Sequence, residues 1–207
     1  MRKALFSLLA VLFLAAPLSA QYFGLRAGVN ATNATVDFGD AEVDTEGETN
    51  LMLGIFLDLP IGTDLISIQP ELNYLNKGYT LEGNLGNIAA YEQSVAFVDL
   101  NAIVKLNFGR QEGLGFYVGA GPTFSYAVSG QRTDVLGERD VDFDADRVNR
   151  SGLEFVGIAG LTFDLGLKFF VEGRYNGSLG NQSDLENADI RQRSVGVNGG
   201  VLIPLGN

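Results

Sequence analysis

Apolar and polar residues alternate with a period of two through eight stretches of the chain. In Tyr22–Thr32 the apolar set is Phe23, Leu25, Ala27, Val29 and Ala31, opposite Gly24, Arg26, Gly28 and Asn30. In Leu51–Pro60, Leu51, Leu53, Ile55, Leu57 and Leu59 stand opposite Met52, Gly54, Phe56 and Asp58. In Ile66–Lys77, Ile66, Ile68, Pro70, Leu72 and Tyr74 stand opposite Ser67, Gln69, Glu71, Asn73 and Lys77. In Val95–Phe108, Val98 to Phe108 alternate with Asp99, Asn101, Lys105 and Asn107. The second half repeats this in the sets Phe116–Tyr126, Leu153–Phe163, Phe169–Tyr175 and Val195–Leu205. Strict alternation of this length predicts strands, each with one uncharged face.

The connections alternate as well. Residues 61–65, 109–115 and 164–167 are short and carry Gly or Asp, whereas 33–50, 78–94, 129–152 and 177–193 are long and polar. An even strand number, segments near the ~9–11 residues that cross a bilayer, and turns short at one end and long at the other are the layout of an outer-membrane barrel. Threading the chain up and down, with the N-terminus at the short-turn end, tests this with the aromatic residues. Phe23, Phe108, Phe116, Phe163 and Phe169 fall near that end, and Tyr74, Phe124, Tyr126, Phe155 and Tyr175 near the other, all on the uncharged face. Two such girdles are what a lipid-facing band requires. The expected fold is therefore all-β, an eight-stranded antiparallel up-and-down transmembrane β-barrel over residues 21–207. A soluble lipocalin-like barrel holding an apolar ligand would invert the faces. The face it would turn to water carries Phe56, Phe97, Ile103, Phe170 and many Gly, which suit a narrow interior better.

The first twenty residues read as an address. Arg2 and Lys3 precede an apolar run, Ala4–Leu14, and then Pro17, Leu18, Ser19 and Ala20. This is the pattern of a secretory signal peptide over residues 1–20, and the run is too short to span a bilayer as a helix. Its removal leaves 12 basic residues against 25 acidic, a charge of −13.

Composition then removes whole classes of function. The chain has no Cys and no His. That excludes disulfide frameworks, thiol nucleophiles, Ser–His hydrolases and His-ligated metals. The acidic balance argues against a nucleic-acid partner. Charges predicted to face inward come in both signs, with Arg26 set against Asp58, Glu71 against Lys105, and Glu154 against Arg174. A closed network satisfying buried charge explains them better than an ion path. Asp99, Glu172 and Glu71 are the carboxylates available to acid–base chemistry, but no spacing pairs two of them at catalytic separation. Asp140, Asp142, Asp144 and Asp146 have the one-three-five-seven spacing of a calcium loop. Ala145 stands at the required Gly and Ser151 at the required Glu, so a strand above the membrane is the preferred reading. The first long loop, with Asp37, Asp40, Glu42, Asp44, Glu46 and Glu48, reads as a solvated acidic segment. No catalytic, cofactor-binding or metal-binding residue is assigned, and no cofactor is expected.

The stretches Ile68-Gln69-Pro70-Glu71-Leu72-Asn73-Tyr74, Val98-Asp99-Leu100-Asn101-Ala102-Ile103-Val104-Lys105, Phe116-Tyr117-Val118-Gly119-Ala120-Gly121-Pro122 and Gly173-Arg174-Tyr175-Asn176 resemble a known family. It is the PorT-like or "porin family" outer-membrane β-barrel domain of Bacteroidetes-type bacteria, similar in fold to OmpA- and OmpX-like eight-stranded barrels. The resemblance covers essentially the whole mature chain and marks a fold, not a chemistry. It implies a non-enzymatic, monomeric barrel in the cell outer membrane, in contact with its lipid. Its role would be structural or one of surface interaction through the long loops, with envelope or secretion-machinery proteins as partners. The family label also keeps open a small porin-like transport channel.

Overall fold

The computed structural model describes residues 21–37, 42–44, 46–81, 91–109, 113–134, 137–143, 149–179 and 189–205. The strands in chain order are β1 (Tyr22–Asp37), β2 (Glu42–Asp44), β3 (Glu46–Ile61), β4 (Thr63–Leu81), β5 (Tyr91–Phe108), β6 (Leu114–Asp134), β7 (Gly137–Asp140), β8 (Ser151–Asp164), β9 (Lys168–Ser178) and β10 (Asp189–Pro204). Eight of them, β1, β3, β4, β5, β6, β8, β9 and β10, pair antiparallel with their neighbours in sequence. β10 returns to pair with β1 from Tyr22↔Pro204 to Asp37↔Asp189, which closes the sheet. The two short strands lie outside this ring, β2 on β1 and β7 on β6. Closure removes the unpaired sheet edges that a bilayer does not tolerate.

The eight stretches of alternation fall on the eight barrel strands, and their uncharged face points outward. Adjacent residues show the division: Ile103 is fully buried, while Val104 beside it is 57% exposed. Both girdles follow from the register. Phe108 lies opposite Phe116, and Phe163 opposite Phe169, near the short turns. Tyr74 pairs with Val98, which pairs with Tyr126, towards the long loops.

The strands outrun the sequence expectation at one end. β1 continues to Asp37, β4 to Leu81 and β6 to Asp134, so much of what reads as long loop is paired sheet. The reason is solvent. Beyond the apolar band the outer face of a strand meets water, and the alternation that identifies a strand disappears. The short turns tighten correspondingly, with Gly62 alone between β3 and β4 at φ 67°. That left-handed conformation costs glycine nothing. β6 also departs from simple alternation: Ala96↔Ser129 is followed by Phe97↔Ala127, a bulge that leaves Val128 facing outward.

Candidate functional site

The inner wall is filled by a small-against-large rule between neighbouring strands. Gly24 lies directly opposite Phe56, Gly160 opposite Tyr117, and Gly200 opposite Phe170. A methyl group built on Gly24 or Gly160 would collide with the facing ring. These glycines therefore leave no lumen: the missing side chain is the space the ring occupies. Phe56 and Phe170 meet edge-on, centroids 5.4 Å apart, and with Leu202 and Tyr22 form an apolar layer near the short turns.

The interior is charged on both sides of that layer, with Asp58 and Lys168 on its short-turn side. Among the described residues five buried cations (Arg26, Lys77, Lys105, Lys168, Arg174) match five buried anions (Asp58, Glu71, Asp99, Glu154, Glu172). The central cluster joins three strands. Arg26 contacts Glu71 at 2.9 Å and Glu172 at 3.1 Å; Arg174 contacts Glu71 at 2.9 Å and Glu172 at 3.0 Å. Gln69, Asn73 and Asn101 each donate a side-chain N–H to Glu71, and the Tyr117 hydroxyl donates to Glu172 at 3.0 Å. Lys105 bonds Asp58 at 2.6 Å and the Gln69 side-chain oxygen at 2.7 Å. Nearer the long loops, Lys77 bonds Glu154 at 2.6 Å and lies 3.2 Å from Asp99, which accepts a bond from Ser125. Charge-assisted bonds of this kind offset the cost of removing ions from water.

The pairs differ from those the sequence suggests. Arg26 meets Glu71 and Glu172, leaving Asp58 to Lys105; Glu154 meets Lys77, and Arg174 meets Glu71 and Glu172. The register puts Arg26 opposite Gly54, Glu71 opposite Asn101 and Glu154 opposite Ser178, each four residues away from the partner the sequence suggests, and long side chains reach across a narrow interior to strands distant in sequence. Glu71 and Glu172 do come together, as an acid–base pair would need. Both are held by the same two arginines, an arrangement for neutralising charge and not for moving a proton to a substrate.

At the long-loop end a second apolar layer covers the barrel wall. After β7 the chain turns inward, burying Val141 and Phe143 against Met52, Leu75, Val95, Phe97 and Ala127. The Val141 N–H donates to the Gly130 carbonyl at 2.9 Å, and the Arg150 guanidinium lies 4.5 Å from the Phe143 ring centre. The expected strand through Asp140 and the aspartates after it is not found: β7 ends at Asp140, and Val141, Asp142 and Phe143 are not strand. Asp140 and Asp142 are exposed, and Asp144 and Asp146 lie outside the described residues. Among the described residues no three carboxylates gather as metal ligands. In the first long loop, Glu42 and Asp44 fall on β2 and Glu46 begins β3, while Asp40 lies outside the described residues. The closing role of Val141 and Phe143 had one sequence signal, two apolar residues spaced by two among aspartates, which a strand explains equally well.

Comparison with known proteins agrees with this architecture. Residues 19–184 match the family described as "outer membrane protein beta-barrel domain". Among solved structures the chain is similar to the outer membrane protein OprG of Pseudomonas aeruginosa, at 10% identity and a TM-score of 0.50, over 91% of this chain and 98% of that one. It is also similar to Ail of Yersinia pestis, solved with the heparin analogue sucrose octasulfate, at 11% identity and a TM-score of 0.45, over 88% and 99%. Neisserial surface protein A gives 13% identity and a TM-score of 0.44, over 86% and 96%. At such identity the OprG likeness shows a shared fold. No curated protein sequence matches the chain.

Proposed function

The chain belongs to the outer membrane protein β-barrel domain family, and from that premise we propose that it is a non-enzymatic barrel of the cell outer membrane working through its long-loop end. Residues 1–20 are its export signal, and the mature protein begins at Gln21. The reading includes the PorT-like, Bacteroidetes-type affiliation carried by the Gln69-Pro70-Glu71-Leu72-Asn73-Tyr74 stretch, a monomeric barrel, and envelope or secretion-machinery proteins as partners.

The observation that carries it is the contrast in charge between interior and loops. The described interior is filled and balanced, five against five. Residues 33–50, 78–94, 129–152 and 177–193 together hold 17 acidic and 6 basic side chains, so −11 of the mature chain's net charge of −13 resides there. A face of that sign draws cationic surfaces and repels polyanions. The heparin analogue bound by Ail is a polyanion, and that ligand is not carried over to this chain.

The test is conductance and location together. Unboiled mature protein from outer membranes should migrate differently from boiled protein in detergent gels, and the refolded barrel should give no large stable steps in a planar bilayer, since eight strands leave an interior that side chains fill. Reproducible sugar-permeable pores would put the small porin-like channel first. Recovery in the soluble periplasmic fraction would favour the lipocalin-like barrel.

A further inference from the structure

Phe56, Tyr117 and Phe170 fill the interior from the wall itself. At the long-loop mouth part of the filling comes from outside the ring. Met52, Leu75, Phe97 and Ala127 lie opposite one another in turn across β3, β4, β5 and β6, and make one apolar row. Val95 and Gly130 face each other one step nearer the long loops. The bulge at Val128 turns two small residues of β6, Ala127 and Gly130, to the inner face. The space over Gly130 is taken by Val141: a methyl group built on Gly130 would lie 3.1 Å from the Val141 Cβ and Cγ2 atoms. Together these residues form a cup, and Val141 and Phe143, which fill it, belong to no barrel strand.

The cup and its filling are anchored differently. Each lining residue sits on a strand paired on both sides within the closed ring. β7, which leads into the filling segment, pairs among the described residues only with β6, and all four of its residues are exposed. Past β7, Asp142 is exposed, so Val141 and Phe143 alone carry the burial of residues 141–143. Two apolar side chains favour the seated state, but local openings are drawn from elements that bury little. We propose that Val141–Phe143 is a removable plug, which leaves the mouth with β7 while the eight-stranded ring stays closed. Its departure uncovers an apolar cup of Met52, Leu75, Val95, Phe97 and Ala127 on the long-loop side. The opening stops there. One step towards the short turns Asp99 faces Ser125, and both are bonded to Lys77, which also holds Glu154. The Phe56–Phe170–Leu202 layer lies beyond, so the plug governs access to a cup and not a path through the barrel.

The chain has no cysteine, so single cysteines report on this opening without background. Val141→Cys in the plug, Ala127→Cys in the cup, Asp142→Cys on the exposed side and Ile103→Cys in the deep interior are each refolded into nanodiscs and treated with a charged, membrane-impermeant maleimide. Each rate is divided by that of the same variant unfolded in urea, and only protein that keeps its unboiled gel mobility is scored. The expected result is one common rate for Val141→Cys and Ala127→Cys, about 100-fold below that of Asp142→Cys, as for a local opening short of unfolding. Ile103→Cys should stay unlabelled over the same time. Adding Gly130→Ala, which crowds Val141, should raise the two rates together. Val141→Cys and Ala127→Cys as inert as Ile103→Cys would make the segment a permanent part of the core. Val141→Cys as reactive as Asp142→Cys would mean that it is never seated. Labelling of Val141→Cys without Ala127→Cys would mean that no cup is uncovered. Each of these overturns the proposal without touching the outer-membrane reading.

Discussion

Asp58 on the inner wall and Glu138 on β7 carry the same carboxylate in opposite circumstances. Asp58 is buried and bonded to Lys105 at 2.6 Å; Glu138 is exposed on a short strand above the barrel. Water supports the second charge, and only other side chains support the first. The interior therefore has to balance its charge group by group, whereas the loops tolerate a large surplus of one sign. Within this chain, charge is structural where it is buried and available for recognition where it is not.

The largest effect should come from breaking the central balance. Glu71 receives two arginines and three amides, so Glu71→Leu strands Arg26 and Arg174 and should cost about 3–5 kcal/mol, read from denaturant unfolding in lipid. Removing both members of one pair, Asp58→Leu with Lys105→Met, should cost distinctly less, because no lone charge remains. Equal losses for the two variants would mean that the interior is stabilised by volume and not by charge balance. A smaller effect is expected where packing alone is disturbed. Gly160→Ala forces the Tyr117 ring off the wall and should cost about 1–3 kcal/mol, the usual range for overpacking; a silent substitution there would point to spare room in the interior. Smallest is the loop end. Neutralising Glu138, Asp140 and Asp142 to Gln, Asn and Asn should leave stability within about 0.5 kcal/mol. It should also weaken binding of polylysine to the intact barrel, with the difference fading as salt is raised. Unchanged binding would remove these residues from the recognition surface.

The strand pattern was legible because the bilayer enforces it. Within the apolar band every outward residue meets lipid and every inward residue meets the interior, so period two survives in each strand, down to Ile103 and Val104. Legibility ends where that constraint ends. Above the band, β6 carries Ser129, Gln131 and Thr133 on its exposed side, and nothing in their polarity separates strand from loop. Interior charges were legible as a set but not as pairs. Sequence places Arg26 and Asp58 at similar depth on adjacent strands, yet the register sets Asp58 opposite Tyr22 and Arg26 opposite Gly54, and Arg26 reaches Glu172 on β9 instead. The filling of the glycine positions was also hidden, since a glycine alone does not reveal whether the residue opposite is Phe56, whose ring fits over Gly24, or a side chain that would leave a hole.

The central cluster also sets an order in time. Arg26 and Glu172 are 146 residues apart, and Arg174 and Glu71 are 103 apart. No hairpin of consecutive strands contains these contacts, so none can form while the sheet is still a growing ribbon. Contacts so distant in sequence form slowly, because the intervening chain must be gathered first. Until β10 meets β1, the charges of β1, β4 and β9 depend on water for support. The barrel must therefore close around a wet centre and exchange that water for ion pairs late, as the two ends of the chain zip together.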